Sequence, residues 1–216
     1  MINSIYFKLV CLFILLFVIC YFVEKVVNKY SYEKGKPINK VKIPDIIQES
    51  IPIIRNLDVV SDLFSSFSSF VFLIIFIING KYQYIILYFF VFLLMRLVTF
   101  IYFVSTTLPD SSKKCKYGSD FFKTSMNMGS CNSLGISGHF INMVFQLGLI
   151  YRYYGPKYWL LYFIVYGLAF ILICASRNHY TIDCLTSTFV GLFFIYEINN
   201  IQKGLNYLIG KKYFNL

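Results

Sequence analysis

Two histidines and an aspartate carry the chemistry that this sequence can offer. "RNHYTIDCLTS" (177–187) sets His179 and Asp183 four residues apart at the mouth of one apolar run, and "SLGISGHF" (133–140) sets His139 at the mouth of another. An ionisable group inside a bilayer costs about 2.5 kcal/mol or more, so it reads by default as functional. Residues i and i+4 share a helix face, so Asp183 can accept a hydrogen bond from the His179 imidazole and fix its tautomer. His179 would then attack as a nucleophile, while His139 would protonate a departing oxygen and later deprotonate an acceptor. This arrangement suits displacement at phosphorus. No second set of Asp, Glu and His stands at ligand spacing, so the reaction is expected to need neither metal nor cofactor.

The elements that must position these residues are membrane helices. The 216 residues are 58% hydrophobic and 20% aromatic, with a mean hydropathy of +0.65, which excludes an ordinary soluble domain. Apolar runs able to cross or nearly cross a hydrocarbon core of about 30 Å lie at about 5–23, 63–79, 82–108, 138–154, 157–175 and 181–200. The expected fold is therefore an all-α integral membrane protein of six transmembrane helices, with residues 1–216 forming one membrane domain. The first run reads as a retained anchor, because "CYFVEKVVNKY" (20–30) offers no small-residue cleavage site. "NGK" (79–81) and "YGPKY" (154–158) are tight turns that make antiparallel hairpins. The segment 24–62 reads as a polar connection with room for a short interfacial helix.

With six spans, the connections 24–62, 109–137 and 176–180 share one face of the membrane, and both histidines arrive there. Each begins a polar stripe: Asn142, Met143 and Gln146 follow His139, while Asp183, Ser187 and Gly191 follow His179. Such stripes face a bundle interior. Arg96 lies deep in the third run, with Thr99, Phe103 and Thr106 on its face. A buried guanidinium needs an anion or a carboxylate; a lipid phosphate and Asp183 are the candidates.

The formal net charge is +10, but Lys and Arg are scattered and no aromatic-basic nucleic-acid motif is present. Membrane lipids with anionic headgroups are the expected partners, not nucleic acid. Cys11, Cys20, Cys174 and Cys184 fall within or at the ends of spans as small packing residues. Cys115 and Cys131 share one polar loop and could pair if it faces an oxidising compartment.

These residues resemble the sphingomyelin synthase family, a branch of the lipid phosphatase (PAP2-like) superfamily with six transmembrane helices. "SLGISGHF" and "NHYTIDCLTS" are similar to its third and fourth motifs, and "KIPD" (42–45) to its first, which ends in Pro-Asp. The order "TTLP" (106–109), Cys115, Cys131, Ser137 also follows the family, and the similarity runs from about 42 to 200. The resemblance implies a bundle of the lipid phosphatase type that moves a phospho-headgroup from a glycerophospholipid donor to ceramide. Phosphocholine is the favoured headgroup and phosphoethanolamine the next. His139, His179 and Asp183 would be catalytic, and Arg96, Tyr102, Thr106, Ser137, Asn142 and Tyr180 would contact substrate. Asn132 and Ser133 stand where the family has Gly-Asp, which bears on headgroup choice, and Arg96 stands about one turn from the family's arginine. Related branches use diacylglycerol as acceptor or inositol phosphate as headgroup. Self-association as a homo-oligomer is left open.

A phosphatidate-type phosphatase of the same superfamily is the main rival. Those enzymes hold a phosphomonoester dianion with an Arg-Pro motif and an arginine six residues before the second histidine. This chain has no Arg-Pro, and Ile173 stands at that place. A catalytically silent lipid-binding or scrambling protein would leave the His-Asp pair without use. The resemblance puts the active face in the lumen or outside the cell, in Golgi, endoplasmic reticulum or plasma membrane. The basic residues of 24–62 (Lys25, Lys29, Lys34, Lys36, Lys40, Lys42, Arg55) would put it in the cytoplasm by the positive-inside rule. We follow the resemblance.

Overall fold

The computed structural model describes residues 2–35, 37–38, 43–52, 57–109, 134–210 and 214. Cys115, Cys131, Asn132 and Ser133 lie outside them. Among the described residues the secondary structure is helical throughout: α1 (Ile2–Gly35), α2 (Ile46–Ser50), α3 (Leu57–Ile78), α4 (Tyr82–Ser105), α5 (Gly138–Tyr154), a 3-10 turn (Gly155–Tyr158), α6 (Trp159–Ala175), α7 (Thr181–Tyr196) and α8 (Ile198–Ile209). Long Leu, Ile and Phe runs free of proline set these helices, and turn residues end them. Gly80, at φ +64°, closes the α3–α4 hairpin, and Gly155, at φ +71°, ends α5; both sit in the left-handed region that favours glycine.

Four helical stretches are long and apolar enough to cross a membrane: Tyr6–Gly35, Val59–Ile78, Tyr82–Ser105 and Gly138–Ala175. Thr181–Tyr196 and Ile198–Ile209, bent by 56°, make a fifth if they are taken together. This is the build of a multi-pass helical bundle. Gly138–Ala175 is itself folded back at Gly155. The Phe140 ring lies 6.1 Å from that of Phe170, whereas a straight helix would separate them by roughly 45 Å.

Three boundaries differ from those expected by more than three residues. The first helix runs through Glu24, Lys25 and Lys29 to Gly35, because no helix breaker stands before Gly35 and Glu24 finds a partner inside the bundle. The second begins at Leu57, six residues early, since "LDVVSD" continues the helical pattern. The last apolar run, expected to end at 200, breaks at Glu197 and resumes as the amphipathic α8. The segment 24–62 is thus partly helical, and α2 occupies the place of the short helix its polar stretch allowed.

α5 is the centre of the bundle, in contact with α3, α4, α6 and α7, while α1 lies outermost and packs on α4. Phe7, Phe17, Phe22 and Val26 of α1 are exposed, as lipid-facing residues are. Phe72, Phe76, Tyr88 and Phe145 fill the core between α3, α4 and α5. The α5–α7 contact is the closest: a Cβ on Gly191 would stand 2.7 Å from Val144 Cγ1 and 3.0 Å from its Cβ. Val144 is β-branched and cannot turn away, so only glycine lets these two helices meet. Lys8 Nζ donates to Ile209 O and Arg152 to Asn199, at the end of the bundle opposite His139 and His179.

Candidate active site

His179 stands two residues before α7, so its contact with Asp183 is made across a helix start and not along a helix face. Asp183 Oδ2 lies 3.1 Å from His179 Nδ1 and also accepts from Tyr180 N at 3.1 Å. Asp183 N donates to Tyr180 O at 3.0 Å. A carboxylate at the third helical position that reaches back to the cap N–H is half of a capping box. Asp183 therefore starts the helix and orients the imidazole with one oxygen. With its proton held on Nδ1, His179 keeps a lone pair on Nε2 for attack.

The other oxygen of Asp183 reaches the second histidine's segment. Gly135 N donates to Asp183 Oδ1 at 3.0 Å, and Gly135 takes φ +103° to present it. Ser137 N donates to Ser187 Oγ at 2.7 Å, and Ser187 donates in turn to Asp183 O at 2.6 Å. Ser137 Oγ then accepts from Phe140 N and caps α5. The loop leading to His139 is stitched to α7 at the residue that orients His179. Asp183, Ser137 and Ser187 are wholly buried, so their own polar atoms are held away from water, where leaving one unpaired costs about 1–3 kcal/mol.

His139 Nε2 lies 3.9 Å from Asp62 Oδ1, within ion-pair reach and beyond hydrogen-bond length. Its side chain keeps 30% of its exposure, against 15% for His179. Arg96 does not pair with Asp183. Its Nη2 donates to Glu24 Oε1 at 2.8 Å, and its Nη1 comes within 3.1 Å of where a Cβ on Gly138 would be. The guanidinium thus lies against the first residue of α5, next to His139. Arg96 is roughly 21 Å along α4 from Tyr82, and α4 rises roughly 14 Å beyond it. The start of α5 is accordingly recessed below the end of α4. Beside this recess an apolar cavity of about 410 Å³ opens between α1 and α4, lined by Val23, Val27, Leu97, Phe100, Ile101 and Val104.

Of the expected substrate contacts, Tyr102 and Thr106 flank Gly135, at 4.0 and 3.7 Å from its would-be Cβ, beside Asp183. Ser137 is spent on capping. Asn142 Oδ1 accepts from Tyr88 at 2.8 Å and its amide donates to Ser69, in a buried network that Gln146 completes. Tyr180 Oη donates to Pro109 O at 3.1 Å. These last three hold the helices in register around the histidines.

Asp45 and Gln48 were not legible as site residues. Asp45 caps α2 by accepting from Gln48 N at 3.0 Å. It also caps α7, accepting from Thr181 N at 2.7 Å and Thr181 Oγ1 at 2.8 Å. Gln48 Nε2 donates to His179 O at 2.7 Å. The only signal was "KIPD", a terminal Pro-Asp. Burial pushes the Asp45 carboxyl up, but the hydrogen bonds from Gln48 and Thr181 outweigh it and hold the group below its ordinary value of 3.8. A depressed folded-state pKa gives stability that is fully present above the unfolded value and is lost as pH falls through the folded one. Asp45→Asn should therefore lower the Tm of the detergent-solubilised protein by an amount that is constant from about pH 7 to pH 5 and shrinks below about pH 4. The lost caps are worth about 1 kcal/mol each. A Tm difference unchanged down to pH 3 would show that the charge plays no part.

Residues 130–200 match the family described as PAP2 superfamily C-terminal. The matched segment holds His139, His179, Asp183, Ser137 and Ser187, the whole of the stitched site. The match supports a place in the lipid phosphatase (PAP2-like) superfamily, and with it phosphatase or phosphotransferase chemistry on a lipid. No curated protein and no solved structure matches the chain. Among the described residues no three of His, Cys, Asp and Glu cluster as metal ligands would.

Proposed function

We propose that this protein is a lipid phosphotransferase that moves a phospho-headgroup, phosphocholine in the first place, from a glycerophospholipid to ceramide. One observation carries the reading: a wholly buried carboxylate orients His179 with one oxygen and binds the loop before His139 with the other. In the first step His179 Nε2 attacks phosphorus and the bond to the diacylglycerol oxygen breaks. His139 gives that oxygen its proton. In the second, His139 takes the proton of the acceptor hydroxyl, whose oxygen attacks phosphorus and releases His179, so both histidines return to their starting forms.

A diester in place of a monoester is supported by the clamp. Arg96 is the guanidinium at the start of α5, and it already serves Glu24. A diester carries one negative charge and a monoester up to two. The recess supports transfer over hydrolysis, because α1 and α4 rise past the site while the apolar cavity between them offers a lipid chain a place to lie. The reading places the site in the lumenal or exoplasmic leaflet of Golgi, endoplasmic reticulum or plasma membrane.

The test is a product profile. Purified protein in mixed vesicles is offered phosphatidylcholine, phosphatidylethanolamine and phosphatidate with ceramide or diacylglycerol. Slow release of free headgroup is expected without acceptor, and its diversion into a new phospholipid with one. Capture by diacylglycerol alone would change the acceptor. Phosphatidate hydrolysis faster than any transfer would replace the transferase with a phosphatase.

A further inference from the structure

The ion pair between Glu24 and Arg96 spans two helices, α1 and α4, inside segments long enough to cross the membrane. Glu24 is 28% exposed and Arg96 13%. The guanidinium is also held over the Phe100 ring, 5.3 Å from its centroid, and it touches the start of α5 beside His139. We propose that Glu24 and Arg96 together read a zwitterionic headgroup, the guanidinium taking the phosphodiester and the carboxylate taking the ammonium. This rests on the lipid phosphotransferase reading and fixes the donor class within it.

Charge balance is the reason. The pair as it stands is neutral. A phosphate that reaches Arg96 must share the guanidinium with Glu24, so one cation then faces two anions in a poorly solvated place. Leaving a carboxylate that is largely withdrawn from water without its partner is unfavourable. A headgroup with only negative charge, such as phosphoinositol or a phosphomonoester, makes this worse. A headgroup that carries an ammonium close to its phosphate brings the missing cation with it, and the four charges close into two pairs. Asp62, 3.9 Å from His139, adds negative charge and tilts the site the same way. Among the described residues, Arg177 is the other arginine on this face, and it donates to Ile51 O at 2.9 Å.

Binding and transfer are measured separately, so that the reader and the reaction can fail independently. Short-chain dihexanoyl phosphatidylcholine and dihexanoyl phosphatidylinositol are titrated calorimetrically into His179→Ala protein and into the same protein carrying Glu24→Gln. Glutamine keeps an oxygen for Arg96 and removes the charge. The parent should prefer the zwitterion by about tenfold or more, and Glu24→Gln should abolish that preference by weakening the zwitterion. Glu24→Asp, which keeps the charge, should retain most of it, and this comparison stands even if the glutamine variant folds poorly. Equal binding of the two lipids by the parent, or a preference unchanged in Glu24→Gln, would overturn the proposal. If the preference behaves as expected while active protein transfers no headgroup to any acceptor, the reader stands and the transferase reading falls.

Discussion

Headgroup transfer by folded His179→Ala protein should fall by on the order of a thousandfold or more, to the level of binding alone. The imidazole is the nucleophile in the proposed reaction, and its removal breaks its side-chain hydrogen bond to Asp183. The backbone carbonyl of His179, which accepts from Gln48, survives the substitution, so the turn should hold. Asp183→Asn should be as inactive but should also unfold earlier. Its carboxylate accepts from His179, Tyr180 N and Gly135 N at once, and an amide turns one acceptor oxygen into a donor facing donors. Each buried group left unpaired costs about 1–3 kcal/mol. The check is a transfer assay paired with thermal unfolding: both variants inactive, Asp183→Asn alone with a markedly lowered Tm. Wild-type rates in folded His179→Ala would remove the nucleophile from the mechanism. Equal Tm values for the two would contradict the double role of Asp183.

That double role explains what was legible and what was not. His179 and Asp183 stand out because four residues separate them at the edge of an apolar run, and the polar stripe behind His139 stands out by period. The inward burial of Asn142, Gln146, Asp183 and Ser187 follows from that period. The cause of the His–Asp contact was different, however. A helix that starts at Thr181 leaves His179 outside it, and the spacing works because a carboxylate at the third helical position reaches back over the cap. Glu24 was hidden because an apolar run ends at Val23, and hydropathy alone cannot tell a helix that leaves the bilayer from one that stops. The Arg96 partner is what lets α1 carry this carboxylate onward. Asp45 was hidden for another reason. It bonds Thr181, 136 positions away, and no periodicity carries information over that distance. The loop that holds Cys115 and Cys131 lies outside the described residues, so their pairing stays an expectation of the sequence.

The proposed roles of the two histidines separate through the leaving group. His139→Ala should slow transfer from a natural glycerophospholipid by about 10²–10⁴-fold, the usual effect of a lost general acid–base. The diacylglycerol oxygen is a poor leaving group and must be protonated as its bond to phosphorus breaks. A nitrophenolate departs without a proton. With the nitrophenyl ester of phosphocholine as donor, His139→Ala protein should still let His179 attack and should release nitrophenol in a burst of about one equivalent per protein, the mark of a covalent intermediate. Turnover should then stall, because the second step needs a base for the acceptor hydroxyl and His139 is that base. His179→Ala should show neither burst nor turnover. The contact geometry is compatible with this division: His139 keeps 30% of its exposure, open to the recess, whereas His179 is bound through Nδ1 to a buried carboxylate and presents one nitrogen. Stopped-flow absorbance of nitrophenol in the two variants decides it. Equal loss on both donors in His139→Ala, with no burst on the activated ester, would mean that His139 does not act as the acid, and the proton would have to come from another group at the recess.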